Sequence, residues 1–173
     1  MDLNIITRES WGAANEMEPG KELKHPAMYI FTMSINRNPC DTVSDCAAEI
    51  QSTQAYHVYG QSQPDIRHNF IVTSSGVVFE GRGWYIQPLL PHKFRTINPE
   101  SILIGYHGGG LTADTMPKKM ARAGQLLVEY GVKNGFISKF FLYNDQMTYQ
   151  SRAKEMRETH RLERTANRRN IYN

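Results

Sequence analysis

The chain has 173 residues, a formal net charge of +3 at pH 7 and two cysteines. This length fits one compact domain, and a charge this small does not indicate a nucleic-acid-binding protein. No stretch reaches the roughly eighteen consecutive apolar residues that a membrane-spanning helix needs, and the first residues lack the pattern of a signal peptide. We therefore expect residues 1–173 to form a single soluble domain. Any anchor of a longer protein would lie outside this sequence.

The first strong pattern is the run MYIFTMSI (28–35), which is apolar, β-branched and aromatic and predicts a central strand. Thr42 and Asp45 then have the spacing of a capping box, which predicts the start of a helix. We expect that helix to end at Gly60. Its inward-facing stripe is predicted to comprise Cys46, Ile50, Thr53 and His57.

Cys40 and Cys46 are separated by five residues, between the predicted strand and the predicted helix. Free thiols, half of a metal site and a disulfide are the alternatives. A zinc site needs further Cys or His partners at short spacing, and the six His residues are scattered singly. We favour a disulfide, because it would pin the local turn, and a disulfide indicates an oxidising, extracellular compartment.

The middle of the chain predicts a hairpin, another strand and a second helix. Residues 70–79 alternate around Ser-Ser-Gly as a β-hairpin, and residues 101–107 form a buried strand. The second helix is expected to open at Pro117 and to close at Gly131. Residues 150–169 are charged and free of helix breakers, which predicts a solvated helix. Strands that alternate with helices indicate an α/β fold, with a central mixed β-sheet flanked by helices.

Five segments of the chain together carry a resemblance to a known family. They are ITRESWGA (6–13), NPCDTVSDC (38–46), QSTQAYH (51–57), DIRHNFIVTSSGVVFEGRGW (65–84) and LLVEYGVKNGFIS (126–138). In these segments the chain resembles the peptidoglycan recognition proteins (PGRPs), which are animal relatives of phage-type zinc amidases. The combination of Arg-x-x-Trp-Gly, the cysteine loop and Glu-Gly-Arg-Gly-Trp is specific to that family. The resemblance is strongest over residues 6–150, and residues 150–173 diverge.

This resemblance implies the N-acetylmuramoyl-L-alanine amidase-like fold, in which one face of the sheet forms a groove for muropeptide. It also implies that Cys40 and Cys46 form the family's disulfide, between a central strand and the long helix. Catalytic members hold a zinc ion with two His and one Cys, assisted by a Tyr. They cut the bond between the sugar-linked lactyl group and the stem peptide.

At the positions that match this zinc site, the chain carries other residues. The first His, which precedes a Thr or Ser, becomes Met33 before Ser34; the second His becomes Asn144, and the Cys becomes Arg152. The assisting Tyr becomes His68. Thioether and amide groups are poor zinc ligands, and a guanidinium repels a cation. We therefore expect no zinc, no other cofactor and no catalysis.

The resemblance places part of the groove wall in the segment that follows residues 80–84. Here Leu89 and Leu90, between two prolines, replace a small Gly-Ala pair, while Asn98 is retained. We expect these bulky residues to narrow or close the groove; the alternative is that they only fill core space. The degenerate groove, a contact surface for ligand or partner, is predicted to comprise Met33, Ser34, His68, Arg82, Trp84, Leu89, Leu90, Asn98, Asn144 and Arg152.

These residues predict a non-catalytic recognition domain of the insect membrane-receptor type, similar to the PGRP-LC and PGRP-LF ectodomains. Its expected partner is another recognition domain, which it joins as a co-receptor in a muropeptide-bridged dimer or as an inhibitory decoy. Binding of peptidoglycan fragments by the domain itself is expected to be weak or indirect.

Two alternatives are a direct muropeptide-binding receptor and a zinc amidase with replacement ligands around His68 and Asp145. Binding to nucleic acid through the basic C-terminal residues is a third possibility. We do not favour it, because the excess charge is local and no aromatic residues are interleaved with it.

Overall fold

The computed structural model describes residues 2–145, which form a six-stranded sheet and two α-helices. In chain order the elements are β1 (Ile5–Ile6), β2 (Ala27–Asn36), α1 (Val43–Ala55), β3 (Phe70–Thr73), β4 (Val78–Glu80), β5 (Ser101–His107), α2 (Lys118–Lys133) and β6 (Ile137–Asp145). A π-helical turn, Tyr56–Gly60, extends α1, and two 3-10 turns, His92–Phe94 and Asn98–Glu100, lie in the long connection before β5. The predicted charged helix at 150–169 lies outside the described residues.

The sheet is mixed, and its strand order is β1-β4-β3-β5-β2-β6. β1 is parallel to β4, and β5 is parallel to both β2 and β3, whereas β3 and β4 form an antiparallel hairpin. The register pairs Met33 of β2 with Gly105 of β5, and Gly105 with Ile71 of β3. Because paired residues project from the same face of a sheet, these three residues share one face.

The two α-helices cover opposite faces of the sheet, because neighbouring residues of a strand point to opposite sides. On one face, Ile50 of α1 packs in a buried cluster with Ile71 and Phe79. On the other face, Leu127 of α2 packs in a cluster with Val72 and other apolar residues. The predicted α/β architecture, with a central mixed sheet flanked by helices, is therefore confirmed. Within residues 2–145, no helix is long and apolar enough to cross a bilayer.

The start of α1 follows the predicted capping pattern. The Thr42 hydroxyl oxygen accepts a hydrogen bond from the Asp45 amide at 3.1 Å, and the hydroxyl donates to the Asp45 carboxylate at 2.7 Å. Cys40 and Cys46 form a disulfide across this cap, which confirms that prediction. The bridge therefore ties the end of β2 to the first turn of the helix.

The second helix ends later than the sequence pattern predicts. Gly131 does not close α2 but lies inside it, where an added Cβ atom would be 2.5 Å from the Ile137 side chain and 2.9 Å from the Trp84 ring. Gly135, with φ of +76°, lies just after the helix in the left-handed region that favours glycine. Gly131 is therefore a close-packing position rather than a terminator.

Candidate functional site

The segment before β3 begins with Asp65, a buried carboxylate that accepts hydrogen bonds from three side chains and one backbone amide. Arg8 donates two hydrogen bonds to it, at 3.0 and 3.2 Å, and Arg82 donates one at 3.3 Å. The Gln54 side-chain amide donates at 2.9 Å and the Ile66 backbone amide at 2.7 Å. We call these groups the Asp65 network. A buried charge is stable only when it is paired and hydrogen-bonded, and this one is.

The Asp65 network joins two of the sequence motifs that carry the family resemblance. Arg8 comes from ITRESWGA and Arg82 from Glu-Gly-Arg-Gly-Trp, and Arg8 also donates to the Gly81 carbonyl at 2.8 Å. Trp11 donates from its indole nitrogen to the Glu80 carbonyl at 2.7 Å. The structure therefore places Arg82, a predicted groove residue, in a buried ion-pair network, and burial lowers the pKa of its guanidinium despite the opposing effect of Asp65.

Three residues further along the chain, His68 lies beside an open cavity of about 350 Å³ on the α1 face of the sheet. We call it the Met33 cavity. Its lining comes from the end of β2, from α1 with the π-helical turn, and from the segment before β3: Met33, Ser34, Ile35, Asn36, Glu49, Ser52, Thr53, Tyr56, His57, Gln61, Arg67 and His68. Three predicted groove residues, Met33, Ser34 and His68, are thus brought together.

Glycine at position 105 makes room for His68 in this cavity. Gly105 pairs with Met33 on the neighbouring strand, and a Cβ atom there would lie 2.9 Å from His68 Cδ2 and closer still to Ile35 Cδ1. Contacts this short force a shift of the neighbouring side chains. The imidazole therefore lies directly over β5, next to the strand that carries Met33.

His57 and His68 face each other in the cavity, with their ring centroids 5.4 Å apart. The Arg67 amide donates to His57 Nδ1 at 3.2 Å, so the proton of the neutral His57 ring is on Nε2. In the described part of the chain, neither ring nitrogen of His68 has a hydrogen-bond partner, although the residue is buried. Such a group carries a desolvation cost that an incoming donor or acceptor would relieve.

Both imidazoles are held in the neutral form. The pKa of His68 is lowered to about 3, chiefly by burial and in addition by electrostatic repulsion from His57, when that ring is charged, and from Arg67. The pKa of His57 is lowered to about 4, chiefly by burial and in addition by Arg67, while Asp65 opposes the shift. At neutral pH the Met33 cavity therefore presents two uncharged rings beside one guanidinium.

The connection before β5 covers the sheet next to the Met33 cavity. Phe94 is buried, and its ring packs on Phe31 of β2 with centroids 4.8 Å apart. Leu89 is tied to the segment before β3, because its amide donates to the Arg67 carbonyl at 3.0 Å and its carbonyl accepts from Arg67 Nε at 2.8 Å. The Leu90 amide donates to Asn98 Oδ1 at 3.3 Å. Leu89 thus fastens the connection to the segment before β3, and the bond between Leu90 and Asn98 joins two parts of the connection itself.

The other predicted groove residues lie elsewhere. Trp84 stacks on Phe136 at 4.9 Å and packs against Phe70 at 4.4 Å, in the core on the α2 face, away from the Met33 cavity. Asn144 lies in β6 and is buried. Arg152 lies outside the described residues.

Three residues of this site were not found by reading the sequence. Gln54, rather than the predicted Thr53, is the buried polar residue of α1 and reaches Asp65. His57 is predicted only as part of the inward-facing stripe of α1, but it also lines the Met33 cavity with His68. Phe94 gave no signal except that it is an aromatic residue in a connection containing several prolines. Its ring contact with Phe31 of β2 joins residues that are far apart in the sequence.

Similarity to known proteins agrees with this architecture. The chain is 33% identical to peptidoglycan recognition protein 1 of Mus musculus over 134 residues, which cover 77% of this chain and 71% of that protein. It is 32% identical to the N-acetylmuramoyl-L-alanine amidase of Homo sapiens over 140 residues, 74% of this chain but 24% of that protein. No protein-family model matches the sequence.

Among solved structures, the complex of tracheal cytotoxin with the ectodomains of PGRP-LCa and PGRP-LCx contains a chain with a TM-score of 0.76. It is 22% identical to this chain, and the match covers 83% of this chain and 84% of that one, so the likeness shows the fold. The fold is thus the α/β fold of peptidoglycan-recognition domains. On the identity and coverage shared with the mouse protein, the chain belongs to the peptidoglycan recognition protein family.

Proposed function

We propose that the chain is a non-catalytic peptidoglycan-recognition domain that acts in innate immune sensing by pairing with another recognition domain. Residues 1–173 form this one domain, which lies outside the cell as the ectodomain of a membrane receptor whose anchor is outside this sequence. It acts as a co-receptor or as an inhibitory decoy, and its own binding of peptidoglycan fragments is weak or indirect. The observation that carries the proposal is the set of side chains in the Met33 cavity.

The Met33 cavity does not offer the ligands that a catalytic zinc ion requires. Such an ion takes three protein ligands from His nitrogen, Cys thiolate or carboxylate oxygen and keeps one further position for water. Within residues 2–145, no three His, Cys, Asp or Glu side chains are placed to hold a metal, although Glu49 lines the cavity with His57 and His68. Arg67 adds a positive charge. These residues therefore fit zinc poorly, and we assign no hydrolytic activity.

The sheet face beside the cavity supports weak binding of muropeptide. Phe31 lies two residues before Met33 on the same face of β2, and it pairs with Leu103 of β5. The buried ring of Phe94 covers Phe31. The connection that matches the family's groove wall therefore packs on the sheet beside the Met33 cavity, and this contact supports weak or indirect binding of muropeptide.

The pairing part of the proposal is supported by a solved relative and by an exposed aromatic residue. Tracheal cytotoxin is bound to the ectodomain complex of two recognition proteins in the PGRP-LCa and PGRP-LCx structure. In the present chain, Tyr56 lines the Met33 cavity and is 62% exposed. Exposed tyrosines are common among the residues that dominate protein–protein binding.

Calorimetry and sedimentation test this proposal together. Titration of muropeptide into the isolated domain should give a Kd weaker than about 100 μM, whereas sedimentation velocity should detect association with a second recognition domain loaded with muropeptide. Tyr56→Ala should weaken that association about tenfold or more. Tyr85→Ala is the matched control, since Tyr85 is also 62% exposed but does not line the cavity.

Tight binding of muropeptide to the isolated domain would instead establish a direct receptor. Absence of association with both loaded and empty recognition domains would remove the co-receptor and decoy roles. Equal effects of the two tyrosine substitutions would show that pairing does not use the rim of the Met33 cavity.

The second candidate is a zinc-dependent N-acetylmuramoyl-L-alanine amidase with replacement ligands. Two observations favour it. The chain is 32% identical to the human amidase over 140 residues, and the rings of His57 and His68 lie next to each other in the Met33 cavity. A turnover assay on muropeptide with added zinc decides between the two. We expect no release of stem peptide; turnover that His68→Ala abolishes and His92→Ala preserves would establish the amidase.

A further inference from the structure

Arg67 brings a positive charge to the Met33 cavity without a carboxylate beside it. Its Nε atom donates to the Leu89 carbonyl at 2.8 Å, which anchors the guanidinium at the lining of the cavity. Within residues 2–145, its two terminal nitrogens form no hydrogen bond and no ion pair. In the Asp65 network, by contrast, Arg8 and Arg82 both donate to a carboxylate. Arg67 is therefore a half-buried cation that lacks a counter-ion.

Partial burial makes the missing counter-ion costly. The pKa of the Arg67 guanidinium is lowered from its usual value by desolvation, which disfavours the charged form. A guanidinium presents a planar fork of N–H donors, and this fork binds the two oxygens of a carboxylate through two parallel hydrogen bonds. An incoming carboxylate would therefore supply the partner that the described residues do not provide.

The two histidines next to Arg67 add uncharged hydrogen-bond donors. Because His57 Nδ1 accepts from the Arg67 amide at 3.2 Å, the Nε2–H group of His57 remains for a ligand. His68 is 1% exposed, and in the described part of the chain neither of its ring nitrogens has a partner. Its neutral ring can carry the proton on either nitrogen and so donate to an acceptor in the cavity. A carboxylate has about four acceptor positions, enough for the guanidinium and both rings.

The acidic residues near the cavity do not cancel the charge of Arg67. Glu49 is exposed and also lines the cavity, but its charge acts on the pKa of His107. The pKa values of both cavity rings are instead lowered by the charge of Arg67. Asp65 is already paired within the Asp65 network. The part of the cavity around Arg67 is thus positive, which repels a metal cation and attracts an anion.

We propose that the Met33 cavity binds a small monocarboxylate with an apolar substituent, anchored by Arg67. One guanidinium matches one negative charge better than it matches a phosphate dianion, because the neighbouring rings are neutral. Met33 and Ile35 line the same cavity and suit a small apolar group beside the carboxylate. The volume of about 350 Å³ is at the lower end of the range for ligand sites, so an N-acyl amino acid is a ligand of suitable size.

Titration of N-acetylalanine into the full chain, followed by NMR at neutral pH, tests the proposal. The ring signals of His57 and His68 should shift and saturate with a Kd on the order of 1–10 mM, as expected for one ion pair with few further contacts. N-acetylalaninamide, in which a neutral amide replaces the carboxylate, should bind at least about tenfold more weakly. Because no second recognition domain is present, the result does not depend on whether the proposed pairing occurs.

Substitution of Arg67 tests its role as the anchor. Arg67→Gln removes the charge and should weaken the binding of N-acetylalanine at least about tenfold. Arg67→Lys keeps the charge without the planar fork, so its Kd should fall between those of the parent and Arg67→Gln. Arg95→Gln is the matched control, since Arg95 is exposed and does not line the cavity, and it should leave the Kd unchanged.

The comparison of acid and amide in the parent chain decides the proposal even if the Arg67 variants do not fold. Equal binding of N-acetylalanine and N-acetylalaninamide would overturn it. An unchanged Kd in Arg67→Gln, or an equal loss of affinity in Arg95→Gln, would overturn the assignment of Arg67 as the anchor.

Discussion

Asp65, at the centre of the Asp65 network, and His68, in the Met33 cavity, lie three residues apart along the chain, but they differ in their hydrogen bonding. The buried carboxylate of Asp65 accepts hydrogen bonds from Arg8, Arg82, Gln54 and the backbone. In the described part of the chain, the buried ring of His68 has no partner for either nitrogen. The buried carboxylate of the first region is hydrogen-bonded by four groups, whereas the described residues offer the His68 ring of the second region no partner.

This difference distinguishes a region that stabilises the fold from the region that we propose carries the function. The Asp65 network joins two of the sequence motifs that carry the family resemblance. Each group in it forms a hydrogen bond with the Asp65 carboxylate and so stabilises the fold. The Met33 cavity is an open space at the end of β2, and the absence of a side chain at Gly105 leaves room in it for the His68 ring. Its side chains, however, fit zinc poorly, as the proposed non-catalytic role requires.

The largest expected effect comes from breaking the network at its centre. Asp65→Asn removes the charge that pairs with Arg82, whose side chain is almost completely buried. Leaving one partner of a buried ion pair unpaired costs about 3–5 kcal/mol, so the free energy of unfolding in urea should fall by that amount. Asp41→Asn, at an exposed position, is the control and should change it by less than about 0.5 kcal/mol. A loss for Asp65→Asn as small as for the control would show that the network is not a stabilising unit.

A smaller effect is expected from filling the space beneath His68. Gly105→Ala adds a methyl group against Ile35 and His68, and overpacking of this kind costs about 1–3 kcal/mol of unfolding free energy. Ile35→Val in the same chain removes the atom in closest contact, so the double variant should lose less than the sum of the two single variants. Simple additivity in urea unfolding would contradict the assigned contact.

The smallest expected effect is the pH dependence that His68 contributes. Its pKa is lowered to about 3 in the folded chain, so between that value and about 6.5 the unfolded chain binds the extra proton. The stability from neutral His68 is complete above about pH 6.5 and is lost as the pH falls toward 3. His68→Phe should therefore reduce the loss of unfolding free energy between pH 7 and pH 5 by about 1–2 kcal/mol.

Urea titrations at the two pH values measure this difference. His92→Phe serves as the control, because His92 is exposed, and it should leave the pH dependence of the parent chain unchanged. If His68→Phe shows the parent's pH dependence, His68 is not a buried neutral ring in solution.

Local sequence patterns predicted most of the fold, because the elements involved depend on short-range chemistry. The run at 28–35, the Thr42 cap and the hairpin at 70–79 each contain their own signal, and each is found in the structure. The predicted end of α2 was wrong, because a glycine in a helical pattern can either terminate the helix or allow another element to pack closely against it. Gly131 is required by contacts with Ile137 and Trp84, which no local window contains.

The site was harder to predict from the sequence, because its residues come from separate segments that meet only in the folded chain. Arg82 and Trp84 are two positions apart in one motif, yet Arg82 reaches Asp65 while Trp84 joins the core on the α2 face. The cover formed by Phe94 over Phe31 likewise depends on a long connection whose path has no periodic pattern. The disulfide, by contrast, was predictable, since both cysteines lie within one short loop.

The zinc content of the purified chain tests the central claim most directly. After incubation with excess zinc and removal of free metal, elemental analysis should find less than about 0.1 zinc ion per chain, because the Met33 cavity lacks a set of three suitable ligands. One zinc ion per chain, lost in His68→Ala and retained in His92→Ala, would contradict the non-catalytic assignment.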